Sequence, residues 1–441
     1  MKTIFISSFH PLISRNIFAT PILKHLLAER NVQVVILCPQ RSRTYMEEEY
    51  GGEGIIVEGI AAELRARDIW MRQLSLAALK TRSVAIKRQA DMGNRGAYIS
   101  SFLCTSIGHM IVRRLSLLLT PRGTFDALFK KYAPTVVFST DVQNELDVQL
   151  MHEARRRKID VVGMVRSWDN LTIKGLVRVV PDILLVQNEI TLSDAVRYHD
   201  ISQGIVKVVG IPHYDAYGEK KMCERKALVS NASSLGKKII LYVATGDRYI
   251  DDNVVDYEVL EMLASRCLSD ESIVVRLPIA DTVKGVDSLK EHDGIFFEQV
   301  DKRRFSRRKF VELSREDDRH LQNVLCCADI VVTGPSTMCV DAALFDKPII
   351  LIGFDGREVR PYHKSIVRYY DYNHFETILE SGGVWYAKSE KELYEALEAY
   401  RTSLHLHTEG RKKIVDDQTG GLVGKSCVKL VNTLVAFIDR K

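Results

Sequence analysis

Features that would place this 441-residue chain in a membrane or in a disulfide-rich class are missing. No uninterrupted apolar run reaches the ~20 residues that a transmembrane helix needs. The first residues, MKTIFISSFHPLIS, lack the basic region, long apolar core and small-residue cleavage site of a signal peptide. The eight cysteines show no CxxC pair and no regular spacing, which is typical of buried, reduced thiols. We therefore expect a cytoplasmic protein without a disulfide or zinc framework.

Motifs for several common nucleotide and metal chemistries are also missing. The chain has no P-loop, no GxGxxG turn and no recognisable nucleic-acid-binding module. Acidic pairs such as Asp251-Asp252 and Asp317-Asp318 lack metal-ligand spacing. We expect no metal, no cofactor and no nucleic-acid partner.

The positive charge is concentrated in one segment. The net charge is +5, but residues 61–131 hold thirteen Lys or Arg against four Asp or Glu, so the rest of the chain is slightly acidic. Residues 61–122 interleave apolar and basic side chains in long helical stretches. These are either ordinary surface helices packed on a sheet, or a surface that contacts anionic lipid headgroups or an anionic acceptor.

Short apolar segments alternate with helical patterns in both halves of the chain. The first segment is Thr3–Ser8, and the alternation restarts after Val206–Tyr217. Apolar strands separated by helices indicate a parallel sheet covered on both faces. We predict an α/β fold with two doubly wound Rossmann-like domains facing each other across a cleft. The predicted domains are 1–210, with a basic helical insertion at about 61–131, and 211–425; the final helix, 426–441, fits either domain and is assigned to packing on the first.

The stretch TGPSTMCVDAALF, from Thr333 to Phe345, combines a small polar turn with an acid inside a helix. Ser336 or Thr337 is a good N-cap, and the helix that starts there points free N–H groups out of the carboxyl edge of the sheet, where an anion is stabilised. Thr337 and Asp341 are four residues apart and share a helical face. A diphosphate at the cap would therefore present its ribose to Asp341. The alternative is a capped core helix whose acid meets a structural partner.

The longer segment ADIVVTGPSTMCVDAALFDKPIILIG resembles the donor-binding segment of GT-B glycosyltransferases. It particularly resembles the group containing CDP-glycerol glycerophosphotransferases and UDP-N-acetylglucosamine 2-epimerases, in which an acid, commonly Glu, binds the ribose. Gly210, Pro212 and Asp215 fit the G-x-P-x-x-D pattern that enters the second domain of this group. The epimerase turns G-T-R-P-E and H-V-E-A-G are absent, so an isomerase is disfavoured. The positions that match the donor segment are Asp329, Thr333, Ser336, Thr337, Asp341, Lys347 and Pro348.

The resemblance implies that the second domain binds the donor nucleotide. The turn ATGDR offers Thr245 and Gly246, whose amides can approach phosphate, and Arg248 as a counter-charge. Arg276 ends a strand similar to the one that bears a donor-side Arg, although the His that often follows is absent. A plain turn and a surface ion pair are the structural alternatives. The predicted donor-binding residues are Thr245, Gly246, Arg248, Arg276, Gly334, Ser336, Thr337 and Asp341.

Two loops of the first domain are candidates for the reacting centre. His10 follows the first strand at the carboxyl edge of the sheet, where open α/β sheets bind ligands, and an imidazole there can accept the proton of an attacking hydroxyl. RSWDNLTIKG follows a later strand, and its Asp169 is a second candidate base. Both loops could equally be ordered polar loops without a role. The predicted catalytic residues are His10 and Asp169, and the predicted acceptor-binding residues are Arg15, Trp168, Asn170 and Lys174.

These observations predict a metal-independent glycosyltransferase that moves a sugar from a nucleotide-diphosphate donor to a hydroxyl of a surface glycan or lipid-linked saccharide. The alternatives are a CDP-polyol phosphotransferase of the teichoic-acid type, a UDP-sugar 2-epimerase, and a non-catalytic GT-B-like protein that binds glycans. A peripheral membrane contact through residues 61–122 would place the protein at the inner face of the membrane.

Overall fold

The computed structural model describes residues 2–29, 31–92, 102–218, 223–247, 250, 253–278, 281–298 and 312–439. The chain divides into two compact units. The first unit comprises Met1–Ala216, Glu312–Ser314 and Gln418–Lys441, and the second comprises Tyr217–Val311 and Arg315–Asp417.

The first unit contains a seven-stranded parallel sheet of order β3-β2-β1-β4-β5-β6-β7. Along β1, Ile4 and Ile6 enter the core on one face and Phe5 enters the core on the other, because successive side chains point to opposite faces. Both faces are therefore covered, as the apolar strands predict. The strands are β1 Lys2–Ser7, β2 Val32–Pro39, β3 Ile55–Ile60, β4 Val136–Ser139, β5 Asp160–Met164, β6 Ile183–Val186 and β7 Val206–Val208.

Helices pack on both faces of this sheet, and the basic segment contributes several helices to the first unit. In chain order they are α1 Ile22–Ala28, α2 Arg43–Tyr50, α3 Ala66–Ala77, α4 Arg82–Met92, α5 Ser106–Leu119, α6 Asp126–Tyr132, α7 Glu145–Arg156, α8 Asn170–Ile173 and α9 Glu189–His199. Helices α3 and α5 share a small apolar core that includes Met71 and Val112. No helix in the described part of the chain has the length and apolar character that a membrane span requires.

The final helix, Ser426–Ile438, belongs to the first unit. Its first amides are satisfied by Asp215, whose two carboxylate oxygens accept from the Ser426 and Cys427 N–H groups at 3.0 and 2.7 Å. A carboxylate is favoured there because the positive end of the helix dipole lies at the N-terminus. Asp215, the acid of the G-x-P-x-x-D pattern, thus holds the start of the final helix.

The second unit contains a six-stranded parallel sheet of order β10-β9-β8-β11-β12-β13. Its strands are β8 Lys238–Val243, β9 Glu271–Arg276, β10 Ile295–Phe297, β11 Ile330–Thr333, β12 Ile349–Ile352 and β13 Trp385–Ala387. Its helices are α10 Val255–Ser265, α11 Arg315–Cys327, α12 Met338–Leu344, α13 Asn373–Glu380 and α14 Glu390–Thr402; α15 Thr408–Thr419 leads back to the first unit, and the final helix is α16. In both sheets the strand order reverses between two central strands, β1 and β4 or β8 and β11, which is the arrangement of a Rossmann-like domain.

The expectation that the cysteines are all reduced is wrong for one pair. Cys223 and Cys327 form a disulfide, with their Cα atoms 4.9 Å apart. Asn323 lies one helical turn before Cys327 on α11, and its side chain exchanges two hydrogen bonds with the backbone of Glu224. These bonds hold the residues next to Cys223 against α11. The spacing could not indicate this pair because 104 residues separate the two cysteines. The other six cysteines are free.

Candidate functional site

In the first unit, the carboxyl ends of β1 and β4 are joined by a buried carboxyl group. Ser7 and Ser139 both donate hydrogen bonds to Oδ1 of Asp147, the latter at 2.8 Å. Burial, followed by the nearby Asp141 charge, raises the pKa of Asp147 to about 8. Asp147 is therefore protonated at neutral pH, and it fixes the two strand ends between which ligands bind in such sheets.

Asp141, two residues beyond β4, organises the loop that follows β5. Its Oδ2 accepts a hydrogen bond from Arg166 Nε at 2.7 Å, and its Oδ1 accepts from Asn170 Nδ2 at 3.3 Å. Asn170 is 1% exposed. This corrects the role predicted for Asn170, because its amide holds Asp141 and is not open to an acceptor hydroxyl.

His10 lies among the charges of this loop. The pKa of His10 is lowered to about 4, first by burial, then by Arg166; Lys174 adds to the lowering, whereas Asp141 and Asp169 oppose it. The Leu12 amide donates to His10 Nδ1 at 3.2 Å, so the neutral ring carries its proton on Nε2. In this tautomer the outer nitrogen of His10 is a hydrogen-bond donor, whereas a general base must present a lone pair, and the role of His10 as a base stays a prediction.

The other predicted residues of the first unit lie close to this centre in sequence but differ in exposure. Asp169 is half-buried and faces Lys174, with Nζ and Oδ2 3.4 Å apart. Lys174 is exposed and Trp168 is half-buried. Arg15 is half-buried on a π-helical stretch, Ser14–Phe18, a conformation that is frequent at functional sites. Asp169 lies close enough to His10 to raise the pKa of that ring, and its role as a base stays a prediction.

In the second unit, the loops after β8 and β11 come into direct contact. Val243 and Thr333 are paired at the ends of the two strands, so Thr245 and Gly334 follow side by side. A Cβ atom added to Gly334 would lie 2.2 Å from Thr245 Oγ1. The contact brings two of the predicted donor-binding residues together, and it explains why Gly occupies this position.

The loop after β8 is held by Asp256, which is fully buried. Its carboxylate accepts from the amides of Thr245 and Gly246 at 2.9 and 3.0 Å, from Tyr242 Oη at 2.7 Å and from Asn253 Nδ2 at 2.8 Å. This corrects the mechanism predicted for Thr245 and Gly246, because their amides are engaged by Asp256 and do not offer free donors to a phosphate.

The helix after β11 also differs from the predicted anion site. Helix α12 has only seven residues, and Ser336 Oγ accepts from the Met338 amide at 3.3 Å. The next amides bond to the carbonyls of Ser336 and Thr337. Thr337 is exposed whereas Asp341 is 3% exposed. The two side chains therefore do not form one open surface, and a ribose contact to Asp341 stays a prediction.

Arg276 is not a free counter-charge. It forms a buried ion pair with Glu298, and His320 Nε2 lies 2.8 Å from the same carboxylate oxygen. This corrects the prediction that Arg276 meets the donor phosphate, because the Glu298 carboxylate already neutralises the Arg276 guanidinium at the edge of the sheet. Arg248 lies outside the described residues.

We expect Gly334→Ala to weaken nucleotide binding, because the added methyl would push Thr245 and the loop after β8 away. We expect a loss of roughly 5- to 150-fold, from an overpacking cost of about 1–3 kcal/mol. Adding Thr245→Ala removes the clashing oxygen and should restore most of the affinity. Isothermal calorimetry on both variants measures this; equal binding by Gly334→Ala and wild type would show that the nucleotide does not use these loops.

Sequence reasoning missed Asp141, Asp147, Arg166 and Asp256. Asp141 follows β4 at the carboxyl edge of the sheet, the position that led to the prediction of His10. The rule that open α/β sheets bind ligands at this edge could therefore have identified Asp141 as well. Arg166 opens the loop that supplied Asp169. In the described ranges, no three His, Cys, Asp or Glu side chains are grouped as metal ligands, and the metal-independent mechanism stays a prediction.

The whole chain is similar to solved structures with the GT-B fold. A UDP-N-acetylglucosamine 2-epimerase from Neisseria meningitidis bound to UDP-GlcNAc aligns with a TM-score of 0.55 at 12% identity, covering 99% of this chain and 100% of that one. A glycosyltransferase from Rickettsia africae gives 0.53 at 9%, covering 98% of each chain. A spinosyn rhamnosyltransferase complexed with thymidine diphosphate gives 0.51 at 12%, covering 99% and 100%. Identities this low show the fold alone, and the fold is GT-B, as predicted.

Residues 169–435 match the family model of CDP-glycerol:poly(glycerophosphate) glycerophosphotransferases. This range is more than half of the chain, so the protein belongs to that family. It begins at Asp169 and contains every predicted donor-binding residue. No curated protein matches the sequence.

Proposed function

We propose that this protein transfers a group from a nucleotide-diphosphate donor to an acceptor hydroxyl. The observation that carries the proposal is the cluster at the carboxyl edge of the first sheet: Asp169 as an acceptor carboxylate, neutral His10 as a donor, and the Asp141–Arg166 pair that holds the loop. The second unit is assigned the donor nucleotide, because it carries the predicted donor-binding residues and the family is named for a CDP-linked donor.

The proton and bond changes follow from these roles. Asp169 takes the proton of the acceptor hydroxyl as its oxygen attacks the donor. His10 donates its Nε2 proton in a hydrogen bond to an oxygen on which negative charge grows. The bond to the leaving nucleotide breaks, and the nucleotide departs with that electron pair. Lys174 Nζ lies 3.4 Å from Asp169 Oδ2.

We favour a polyol phosphate as the transferred group, because the family model describes a glycerophosphotransferase. In that reaction the hydroxyl attacks the phosphorus that carries the polyol and releases a nucleoside monophosphate. Glycosyl transfer is the second candidate. It is favoured by the glycosyltransferases among the structural neighbours, and it would release a nucleoside diphosphate. The acceptor would be a surface glycan or a lipid-linked saccharide, at the cytoplasmic face of the membrane.

The released nucleotide tests the proposal and separates the two cargos. Incubation with a panel of CDP-polyols and nucleotide sugars, followed by chromatography of the nucleotides, should show a monophosphate for polyol-phosphate transfer and a diphosphate for glycosyl transfer. Conversion of UDP-N-acetylglucosamine to its 2-epimer without nucleotide release would indicate an isomerase instead.

Calorimetry with CDP, UDP and GDP tests donor binding separately. At least one nucleotide should bind, and Asp341→Asn should weaken it about tenfold or more if the carboxylate accepts from the ribose, since such charge-assisted bonds contribute about 1.5–3 kcal/mol. Glu395→Gln makes the same carboxylate-to-amide change at an exposed position of α14 and is a neutral control. No binding of any nucleotide would favour the non-catalytic alternative.

A further inference from the structure

The carboxyl group of Asp147 is buried among hydroxyl groups at the carboxyl ends of β1 and β4. Asp147 is 0% exposed, and its Oδ1 accepts hydrogen bonds from Ser7 and Ser139. Ser7 Oγ accepts from the Thr140 amide at 2.9 Å, so the hydroxyl hydrogen of Ser7 is directed to Asp147. The other carboxyl oxygen, Oδ2, is buried without a hydrogen-bond partner among the residues that the structure describes. Such different surroundings of the two oxygens indicate a carboxylic acid, with Oδ1 as the acceptor and the proton on Oδ2.

Burial favours the neutral form of this group. A carboxylate that is removed from water keeps its proton unless a cation or several hydrogen bonds stabilise the charge. Arg166 lies close enough to interact with Asp147, but it already bonds to Asp141 at 2.7 Å. The pKa of Asp147 is raised to about 8, first by burial and then by the charge of Asp141, while the serine hydrogen bonds oppose the rise. The proton is therefore lost within the pH range of an ordinary enzyme assay.

The proton state of Asp147 affects the residues that hold the loop of Asp169. Asp141, after β4, and Arg166, after β5, bring their charges close to Asp147, and β1 contributes the Ser7 hydroxyl. Arg166 interacts with all three of these carboxyl groups. A negative charge on Asp147 would repel Asp141 and compete with it for the guanidinium. The Asp141–Arg166 pair, which holds the loop, would then weaken.

We propose that Asp147 is a positioning residue for the proposed group transfer, and that it holds the loop of Asp169 in place only while its carboxyl group is protonated. The link to turnover rests on the proposed function, whereas the state of the loop can be measured without a substrate. Loss of the proton places a new charge beside Asp141, so the order of the loop and the turnover fall together at alkaline pH. The proton returns when the pH is lowered, so the change is reversible.

Asp147→Asn tests this proposal, because the amide copies the protonated acid. Its Oδ1 can still accept from Ser7 and Ser139, and its NH₂ group takes the place of the O–H group, but it cannot ionise. With a pKa of about 8, the protonated fraction of Asp147 falls about tenfold from pH 7 to pH 9. Wild-type turnover should therefore fall about tenfold relative to its own value at pH 7, and Asp147→Asn should not show this decline.

Hydrogen–deuterium exchange of residues 166–174 measures the loop itself. After correction for the intrinsic effect of pH on exchange, the protection of this segment should fall in the wild type between pH 7 and pH 9. In Asp147→Asn it should stay constant. This measurement needs no donor or acceptor, so it decides whether Asp147 holds the loop even if no transferase activity is found. Constant protection of the wild type over this range would overturn the proposal.

The pH dependence of unfolding detects the proton directly. The unfolded chain loses this proton near the ordinary pKa of 3.8, whereas the folded chain keeps it until about pH 8. Between these values the unfolded state binds fewer protons, so stability falls as the pH rises. The unfolding equilibrium constant of the wild type should therefore rise by about tenfold more per pH unit than that of Asp147→Asn. Urea denaturation at several pH values measures this difference.

Glu49→Gln is the matched control, because it makes the same carboxylate-to-amide change at an exposed position of α2. It should follow the wild type in all three measurements. Equal pH profiles for the wild type and Asp147→Asn would overturn the proposal, because another group would then cause the alkaline loss. If Asp147→Asn does not fold, infrared spectra of the wild type decide the question. The band of a protonated carboxyl group should disappear with the same midpoint as the loop protection, and a missing band or a different midpoint would contradict the proposal.

Discussion

Asp169→Asn should reduce turnover by about 10²–10⁴-fold, the usual contribution of a positioned general base, while nucleotide affinity stays unchanged. The amide keeps the size of the carboxylate but cannot take the proton of the acceptor hydroxyl. Because Asp169 lies on the first unit and the predicted nucleotide residues lie on the second, calorimetry with the nucleotide is an independent check of folding and donor binding. The measurement is kcat with a saturating donor.

His10 provides the second half of this test. His10→Ala should also reduce turnover, by about 10²–10³-fold, as removal of a transition-state hydrogen-bond donor does. His10→Gln retains an N–H donor and should recover part of the rate, which a base could not. The pKa of His10 is about 4 and below its usual value, so the ring is neutral above that pH and becomes charged only below it. The rate should then show no His10 titration between pH 5 and 8.

A different outcome would reverse the two roles. If Asp169→Asn retained full activity and His10→Gln were as inactive as His10→Ala, His10 would be the base, and its bond from the Leu12 amide would have to break on binding. An activity that rises with a midpoint near pH 6.5 would support the same conclusion. Lys174→Gln is the useful comparison, because it removes the partner of Asp169 without removing the carboxylate.

The sheets could be predicted from the sequence because each strand is locally encoded. Apolar runs such as the one around Val35 are buried on both faces, and few other structures bury such runs between helices. The order of the strands then follows from the right-handed crossovers of α/β folds. The edge at which His10 and Asp169 lie was predictable for the same reason, since loops after parallel strands meet at the carboxyl edge.

The side-chain partners at these edges could not be predicted, because they depend on contacts between distant residues. Arg276 looked like a free cation, but Glu298, which directly follows the neighbouring strand β10, neutralises it. The backbone amide of Gly246 looked available to phosphate, but it donates to the carboxylate of Asp256, ten residues later in the sequence. Composition identifies groups that bind anions; only the packed structure shows which of them already bind one of the protein's own carboxylates.

Asp141→Asn is expected to have the largest effect on folding among the site variants. Arg166 and Asp141 have side chains only 10% and 4% exposed, so the pair is buried. Removing one partner of a buried pair leaves an uncompensated charge and costs about 3–5 kcal/mol in free energy of unfolding. The loop that carries Asp169 should loosen as well, so turnover should fall. Urea denaturation and kcat measure the two effects.

Replacing both partners separates the structural from the catalytic contribution. Asp141→Leu/Arg166→Met removes both charges at similar volume, so most of the free energy of unfolding should return, because apolar replacement of a buried pair is often neutral. Turnover should not return, because Asn170 has lost the carboxylate that it holds. Asp141 raises the pKa of His10 and Arg166 lowers it more strongly, so the double variant loses two opposing effects, and burial, the main cause of the lowered pKa, still leaves the ring neutral at pH 7. A lost rate with an unchanged pH profile would therefore identify Asp141 as a positioning residue, whereas full recovery of turnover in the double variant would show that the pair serves folding only.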